Sequence, residues 1–341
     1  MKNPTLQQKI LQIFLENPGE PLSGESLAAR LQVSRTAVWK AVGKLREQGY
    51  EIEGTPKLGY RLTQDPENSS GKERFNAAEI TALLTDEAKN FFRVRTVTET
   101  GSTNSDVRDL GLTGESEGFV LIAESQTAGR GRMGRSFYSP KNSGLYLSIL
   151  LRPELPAAEA VLLTAMAGVA ASRAVESLLP EASLSGHPVM IKWVNDLFYH
   201  GRKICGILTE GVLSVESGGL EQAVLGLGFN LSKPDQGWPE ELSGIAGEVF
   251  ESGVPGSRIR LAASFLKEFL PLYRGLSEKT FLPEYRARML VLGQTVEVIL
   301  PDGSSRPAAA VDIDPECRLL VRFPGEDSLT PLGSGEVRIR I

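Results

Sequence analysis

The most informative stretch of the chain is Gly129-Arg130-Gly131-Arg132-Met133-Gly134-Arg135, in which three glycines alternate with three arginines. It follows a strand predicted at residues 119–123. Glycine lets backbone amides approach a phosphate closely, and the guanidinium group supplies positive charge and directed donors for phosphate oxygens. The stretch, called the Gly-Arg loop below, therefore predicts an anion-binding loop at the end of a strand.

The Gly-Arg loop also satisfies the G-x-G-x-x-G pattern of dinucleotide-binding folds, which is a weak signal when it stands alone. In those folds the pattern opens a helix. Here it runs into Ser136-Phe137-Tyr138-Ser139-Pro140, and the proline prevents a helix from continuing. The chain has no P-loop pattern either. A dinucleotide-binding fold is therefore not predicted.

Around this loop, residues 75–288 mix helical and strand patterns, which favours an α+β domain built on one large sheet. The predicted strands are residues 93–98, 119–123, 145–150, 189–194, 204–208 and 224–227. The most apolar run, residues 160–171, is interrupted by Thr164 and is shorter than the ~20 residues that a membrane span needs. It predicts a buried helix.

Residues 289–341 form a second region rich in β-strand signals. Short apolar runs at 295–300, 309–313, 318–323 and 336–341 are separated by Pro, Gly and Asp residues that favour turns. The pattern predicts a C-terminal small β-barrel.

Residues 1–64 predict a winged helix-turn-helix domain. The apolar spacing of residues 6–14 indicates a first helix that stops near residues 17–19, and Ser23 and Ser34 can cap two further helices. Two short helices joined by a tight turn suit the major groove of DNA. Residues 51–62 predict a hairpin that resembles the wing of such domains.

The third helix and the wing carry the predicted DNA-binding residues. These residues are Arg35, Thr36, Lys40, Lys44 and Lys57. Residues 1–64 contain nine Lys and Arg against six Glu, a net charge of +3, whereas the rest of the chain carries −8. A basic module on an acidic body favours nucleic-acid contact there. The alternative is a solvated basic face on a three-helix domain.

Trp39, on the third predicted helix, is predicted to pack rather than to read bases. After this domain, residues 65–74 predict a polar linker.

The composition excludes several classes of protein. With 41% hydrophobic and 23% charged residues, the chain can bury an ordinary globular core. Two cysteines, Cys205 and Cys317, and two histidines are too few for a zinc cluster or a disulfide framework. No apolar signal-peptide core follows Met1. We therefore expect a cytoplasmic protein with no membrane partner.

Two polar groups near predicted strand ends allow alternative interpretations. Lys192 is the one lysine in the predicted strand 189–194, and a buried ammonium needs an anionic partner. That partner is either a structural carboxylate such as Asp196 or an anionic ligand, which the Gly-Arg loop favours. Thr103 and Asp106 resemble a helix-capping box, but hydroxyl and amide groups there also suit a polar head such as a cyclic urea.

At these motifs the chain resembles the biotin-protein ligases, in particular the bifunctional members that also act as biotin operon repressors. The motifs follow the order found in that family and span nearly the whole chain. They are Gly101-Ser102-Thr103-Asn104, Gln126, the Gly-Arg loop, Lys192-Trp193-Val194-Asn195-Asp196, Arg202-Lys203-Ile204-Cys205-Gly206-Ile207-Leu208, Gly226-Leu227-Gly228-Phe229-Asn230 and Ser334-Gly335-Glu336-Val337. The resemblance implies a mixed-sheet ligase domain related to class II tRNA synthetases and lipoate ligases.

The resemblance also implies a role for each matching residue. The biotin-binding residues would be Ser102, Thr103, Asn104 and Gln126 at the ureido end, and Arg130, Gly131, Arg132 and Lys192 at the carboxyl group and adenylate phosphate. Lys192 and Arg132 would be catalytic. The adenylate would also contact Gly129, Gly134, Arg135 and Phe137. Phe137 stands where many family members have a tryptophan beside adenine.

The implied enzyme forms biotinyl-5'-AMP from biotin and ATP with Mg²⁺, and then transfers biotin to a lysine of a biotin carboxyl carrier protein. Its adenylate-bound form would be a homodimer that binds operator DNA. Three alternatives remain: a lipoate-protein ligase, a biotin ligase with a vestigial winged helix, and a non-enzymatic ligand-sensing transcription factor.

Overall fold

The structure is a computed structural model that describes residues 6–17, 21–47, 50–55, 59–64, 75–180, 188–213, 219–250, 254, 256–300, 303–333 and 336–339. Its backbone divides into two compact units, Met1–Leu83 and Leu84–Ile341. The predicted linker, residues 65–74, lies outside the described residues. The finer division into a winged helix-turn-helix domain, a ligase domain and a C-terminal domain stays a prediction.

The first unit contains the predicted helices and hairpin. Its elements are α1 (Leu6–Glu16), α2 (Gly24–Leu31), α3 (Arg35–Glu47), β1 (Glu51–Thr55), β2 (Gly59–Gln64) and α4 (Ala77–Ala82). The hydroxyls of Ser23 and Ser34 accept hydrogen bonds from the amides of Ser26 (2.9 Å) and Ala37 (3.1 Å), which confirms both predicted caps. Apolar side chains of the three helices are buried together around Phe14, as the helical spacing predicts.

The second unit is built on a seven-stranded sheet with the strand order β3-β4-β5-β9-β8-β7-β6. The strands are β3 (Arg93–Thr100), β4 (Phe119–Gln126), β5 (Gly144–Leu151), β6 (Met190–Lys192), β7 (Asp196–Tyr199), β8 (Arg202–Leu213) and β9 (Leu220–Asn230). β3 and β4 are parallel, and the other pairs of this sheet are antiparallel. The mixed sheet confirms the predicted α+β class.

One predicted strand, residues 189–194, is wrong in its extent. β6 ends at Lys192, and the chain turns back so that Lys192 pairs with Asp196 of β7. The turn is fastened to other elements, because Trp193 Nε1 donates to the Cys317 carbonyl (3.0 Å) and the Tyr285 hydroxyl donates to the Val194 carbonyl (3.1 Å). The apolar run is therefore a strand and a buried turn, not one strand.

Among its described residues, the second unit has the α-helices α5 (Asp86–Phe91), α6 (Thr103–Leu112), α7 (Val161–Glu176), α8 (Ser257–Arg274) and α9 (Leu282–Ala287). α6 packs on β4, β5 and β9, whereas α7 packs on β8 and α8. Ala157–Glu176 is the one stretch within the described residues that is long and apolar enough to span a membrane, but most of it is buried in the unit. This burial agrees with the core helix predicted at residues 160–171.

The C-terminal region is a five-stranded antiparallel sheet in which β13 and β14 lie at the edges of the described strands. Its strands are β10 (Thr295–Ile299), β11 (Ser305–Ile313), β12 (Leu319–Arg322), β13 (Thr330–Leu332) and β14 (Glu336–Ile339). β13 was not predicted, because it has only three residues and contains Pro331, which normally argues against a strand interior. Val296 and Val298 of β10 are buried, as alternation predicts.

An ion-pair cluster joins α7, α8 and α9, and it predicts how stability depends on pH. Burial raises the pKa of Glu284, but hydrogen bonds from Arg173 and Arg288 outweigh this and hold the pKa below its ordinary value of 4.5. Because the folded pKa is depressed, the contribution is complete above pH 4.5 and is lost as the pH falls through the folded pKa. We expect Glu284→Gln to lose about 1–3 kcal/mol of unfolding free energy at pH 7 and less at pH 4, measured by urea denaturation. An equal loss at both pH values would contradict this assignment.

Candidate active site

One cavity of about 400 Å³ in the second unit collects most of the predicted site residues. It lies among the start of α6, the end of β4, the Gly-Arg loop and strands β6 to β9. The predicted residues that line it are Ser102, Thr103, Asn104, Gln126, Arg130, Gly131, Arg132, Arg135, Phe137 and Lys192. Gly129 and Gly134 are not among its lining residues. A cavity of this volume suits a small ligand.

Hydroxyl and amide side chains form a connected network at the start of α6. Gln126 Oε1 accepts from the Thr103 backbone amide (2.9 Å) and hydroxyl (3.1 Å). The Ser148 hydroxyl lies 2.8 Å from Thr103 Oγ1 and 2.6 Å from Asn104 Oδ1. Ser102, Thr103 and Asn104 are all buried. These groups are held in fixed orientations, as recognition of a polar ligand requires.

The alternative capping box at this helix is wrong. Ser102, not Thr103, occupies the N-cap position, and its side chain makes no capping hydrogen bond. The first helical amide is satisfied instead by Gln126, which comes from β4. Asp106 accepts a hydrogen bond from the Thr100 hydroxyl rather than from Thr103. The polar groups of Thr103 and Asn104 thus serve the cavity network.

The Gly-Arg loop has a neck, residues 130–131 and 135–136, that is held by backbone hydrogen bonds, and a tip, residues 133–134, that is exposed. Arg130 and Ser136 form an antiparallel bridge, and the Gly131 amide donates to the Arg135 carbonyl (2.7 Å). At the tip Met133 is 75% exposed and adopts a φ of 55°, the left-handed region that L-residues adopt uncommonly. Arg132 points back across the site and donates to Asn195 Oδ1 (3.1 Å). The neck therefore positions the cations while the tip stays accessible.

Two lysines bring further positive charge to the cavity. Lys192 was predicted to be buried within a strand, but it ends β6 and is only partly buried, because the chain turns there. Lys203 also lines the cavity and lies 2.7 Å from Asp196 Oδ1. Lys203 was not predicted as a site residue, although it stands inside one of the quoted motifs. The sequence feature that could have identified Lys203 is the pair of basic residues, Arg202 and Lys203, directly before the apolar run 204–208.

Glycines of β8 and β9 form a floor beneath Phe137. Gly206 and Gly228 pair across these strands, and a Cβ built on Gly228 would lie 2.4 Å from the Phe137 ring. Phe137 also contacts Tyr146 edge-on, with 6.4 Å between ring centroids. Tyr138 and Trp238 form a second aromatic pair, with 6.4 Å between their ring centroids. Sequence reasoning missed this pair because Trp238 lies a hundred residues further along the chain.

The predicted DNA-binding face belongs to the first unit. Arg35, Thr36, Lys40 and Lys44 are all exposed on α3, whereas Lys57 lies outside the described residues. Trp39 was predicted to pack, but it is 61% exposed on the same helix. Thr36, Trp39 and Lys40 are therefore all exposed on α3, and the predicted DNA-binding face carries an aromatic ring that the sequence did not lead us to expect there.

Comparison with known proteins finds matches both for the N-terminal helices and hairpin and for the sheet that carries the cavity. Residues 6–61 match the sequence model of a helix-turn-helix domain, and residues 93–230 match that of the biotin/lipoate A/B protein ligase family. The bifunctional ligase/repressor BirA of Bacillus subtilis is 32% identical over 281 residues, which cover 82% of each chain. The chain belongs to the bifunctional biotin-protein ligase family.

Two further relatives of this ligase cover different shares of it. The bifunctional ligase/repressor BirA of Escherichia coli is 28% identical over 357 aligned positions, which span 100% of this chain and 99% of the relative. The solved structure of the biotin protein ligase from Aquifex aeolicus in complex with biotin and ATP aligns with a TM-score of 0.58 and 25% identity. It covers 73% of this ligase and 98% of the Aquifex chain.

Proposed function

We propose that this chain joins biotin to ATP to give biotinyl-5'-AMP and then transfers biotin to a lysine of a biotin carboxyl carrier protein. The observation that carries the proposal is one cavity lined both by the hydroxyl and amide network of Thr103 and Asn104 and by the cations Arg132, Lys192 and Lys203. A cyclic urea needs fixed donors and acceptors, and an acyl phosphate needs positive charge. The cavity supplies both to one small ligand.

In the first step a carboxylate oxygen of biotin attacks the α-phosphorus of ATP. A new phosphorus–oxygen bond forms, and the bond to pyrophosphate breaks. Both reactants are anions, so Arg132, Lys192 and Lys203 would offset their repulsion and the charge that develops on phosphorus. No protein nucleophile is required.

Mg²⁺ belongs to the proposal as a companion of the ATP phosphates. Protein sites for this ion typically combine one or two carboxylates with substrate phosphates. Within the described residues, no group of three or more His, Cys, Asp or Glu could hold a metal unaided. Asp196 lines the cavity, and its carboxylate, which pairs with Lys203 here, would hold the ion together with the ATP phosphates. The ion would supply further positive charge there.

In the second step the neutral amine of the acceptor lysine attacks the acyl carbonyl. The new carbon–nitrogen bond replaces the carbon–oxygen bond to phosphate, AMP leaves, and the amine loses a proton to solvent. Until then water must be kept from the mixed anhydride. The exposed tip of the Gly-Arg loop, with Gly134 in the left-handed region, has the backbone freedom to cover the intermediate.

Biotin-dependent exchange of pyrophosphate into ATP tests this function. We expect exchange with biotin and none with lipoate, and then AMP release when a carrier protein is added. Exchange with lipoate alone would assign the chain to lipoate ligation. Biotin binding without any exchange would leave a ligand sensor and refute the ligase proposal.

The first unit supports a second part of the proposal, in which the adenylate-bound chain represses biotin genes as a homodimer on operator DNA. The exposed basic face of α3 carries this part, because two such helices would match a palindromic site. A gel shift that compares operator with random DNA, with biotin and ATP present, distinguishes a repressor from a vestigial domain. A cytoplasmic location belongs to the proposal, since DNA, ATP and the carrier are found there.

We expect Arg35→Ala and Lys40→Ala each to weaken binding to a random-sequence duplex and to reduce the slope of log affinity against log salt by about 0.9. The physical reason is that each cation releases about one counterion when it meets a phosphate. Fluorescence anisotropy at several salt concentrations measures both quantities. Lys89→Ala, which removes one charge from α5 in the other unit, serves as the control. Slopes unchanged from the native protein would show that these side chains do not meet phosphates.

A further inference from the structure

Glu210 lies on β8 and contacts two parts of the site. Its side chain is 23% exposed, and it is not one of the cavity-lining residues. Oε2 accepts a hydrogen bond from Asn104 Nδ2 (2.9 Å), and Oε1 lies 3.1 Å from Arg130 Nη1. We propose that Glu210 is a positioning residue that couples the biotin-recognition network to the Gly-Arg loop. This inference rests on the proposed ligase function.

The contact with Asn104 fixes which way the amide faces. A carboxylate can only accept hydrogen bonds, so Glu210 selects the Nδ2 side of the amide and leaves Oδ1 for the Ser148 hydroxyl at 2.6 Å. Asn104 packs directly on β9, because its amide occupies the space that Gly226 leaves free, where a Cβ would lie 1.9 Å from Oδ1. The donor and acceptor pattern offered to a ligand is therefore set by Glu210 together with Ser148.

The contact with Arg130 acts on the loop at its neck. Arg130 bridges to Ser136 through the backbone, so holding its side chain holds the point from which the tip projects. The Arg130 side chain is 44% exposed, and the ion pair is accordingly weak and easily changed. The carboxylate of Glu210 therefore contacts both Asn104, which would meet the ligand, and Arg130, from which the loop projects. Loss of that carboxylate should loosen the cover over the adenylate.

Glu210→Gln is the sharpest test, because it keeps the size of the side chain and an acceptor for Asn104 but removes the ion pair. The measurements are the biotin KM and kcat of pyrophosphate exchange and the rate at which biotinyl-5'-AMP escapes into solution. We expect escape to rise about fivefold while the biotin KM changes little. Glu210→Ala also removes the acceptor, and we expect its biotin KM to rise about tenfold. Glu221→Gln, an exposed carboxylate on β9, is the matched control.

A double-mutant cycle separates positioning from simple support of the fold. If Glu210 acts through Arg130, Glu210→Gln should have no further effect on escape in an Arg130→Ala background. Additive effects, or an escape rate for Glu210→Gln equal to that of native protein and Glu221→Gln, would overturn the inference. If native protein shows no biotin-dependent exchange, the ligase proposal fails first. Native exchange with an unaffected Glu210→Gln refutes the positioning role alone.

Discussion

Arg132→Ala is expected to slow biotin-dependent pyrophosphate exchange about 10²–10³-fold, the usual cost of removing one directed donor from a developing anion. Arg132 Nη1 donates to Asn195 Oδ1 (3.1 Å), and Asn195 Nδ2 donates in turn to the Ile207 carbonyl (2.9 Å). These two bonds orient the guanidinium before the reaction begins. No reorganisation is then needed as charge develops on phosphorus.

Two companion variants separate the charge of Arg132 from its geometry. Arg132→Lys keeps the cation but loses the planar fork, so an intermediate rate is expected. Arg322→Ala removes the same charge from the exposed face of β12 and should leave the rate unchanged. Equal rates for Arg132→Ala and native enzyme would remove Arg132 from the active site. Equal losses in Arg132→Ala and Arg322→Ala would point to net charge instead.

The parts of this site that could be predicted are those whose chemistry is local in sequence. The Gly-Arg loop announces an anion site within seven residues, and its arginines Arg130 and Arg132 do line the cavity. The caps at Ser23 and Ser34 depend on residues three positions away, and both are present. A pattern that is complete within one turn or loop needs no tertiary information.

The failures share the opposite property, since a distant part of the chain decides each one. Thr103 and Asp106 satisfy a capping pattern locally, but Gln126 from β4 supplies the acceptor. Lys192 has apolar neighbours and looks buried, yet the hairpin formed by Lys192 and Asp196 places it at a strand end. Lys203 looks like an ordinary surface residue until the pairing of β7 with β8 brings it to Asp196. Sequence spacing does not contain these pairings.

Gly228→Ala is expected to raise the KM for ATP at least about tenfold and to lower the unfolding free energy by about 1–3 kcal/mol, the usual cost of overpacking. The added Cβ would lie 2.4 Å from Phe137 Cε1 and 2.7 Å from Cζ, too close for any real contact. Tyr146 stands edge-on to Phe137 and limits escape to that side. The ring must therefore move into the cavity, where the adenylate is proposed to lie.

Two other glycine variants test whether the effect depends on how closely the added Cβ approaches Phe137. A Cβ on Gly206 would lie 3.1 Å from Phe137 Cε2, which a shift of a few tenths of an ångström relieves, so Gly206→Ala should have a smaller effect. A Cβ on Gly244 would meet nothing within 4 Å, and Gly244→Ala is the control. Steady-state kinetics with ATP and biotin varied separately decide which ligand Phe137 borders. A rise in the biotin KM alone would place biotin, not the nucleotide, beside Phe137, because the displaced ring obstructs only the ligand that it touches.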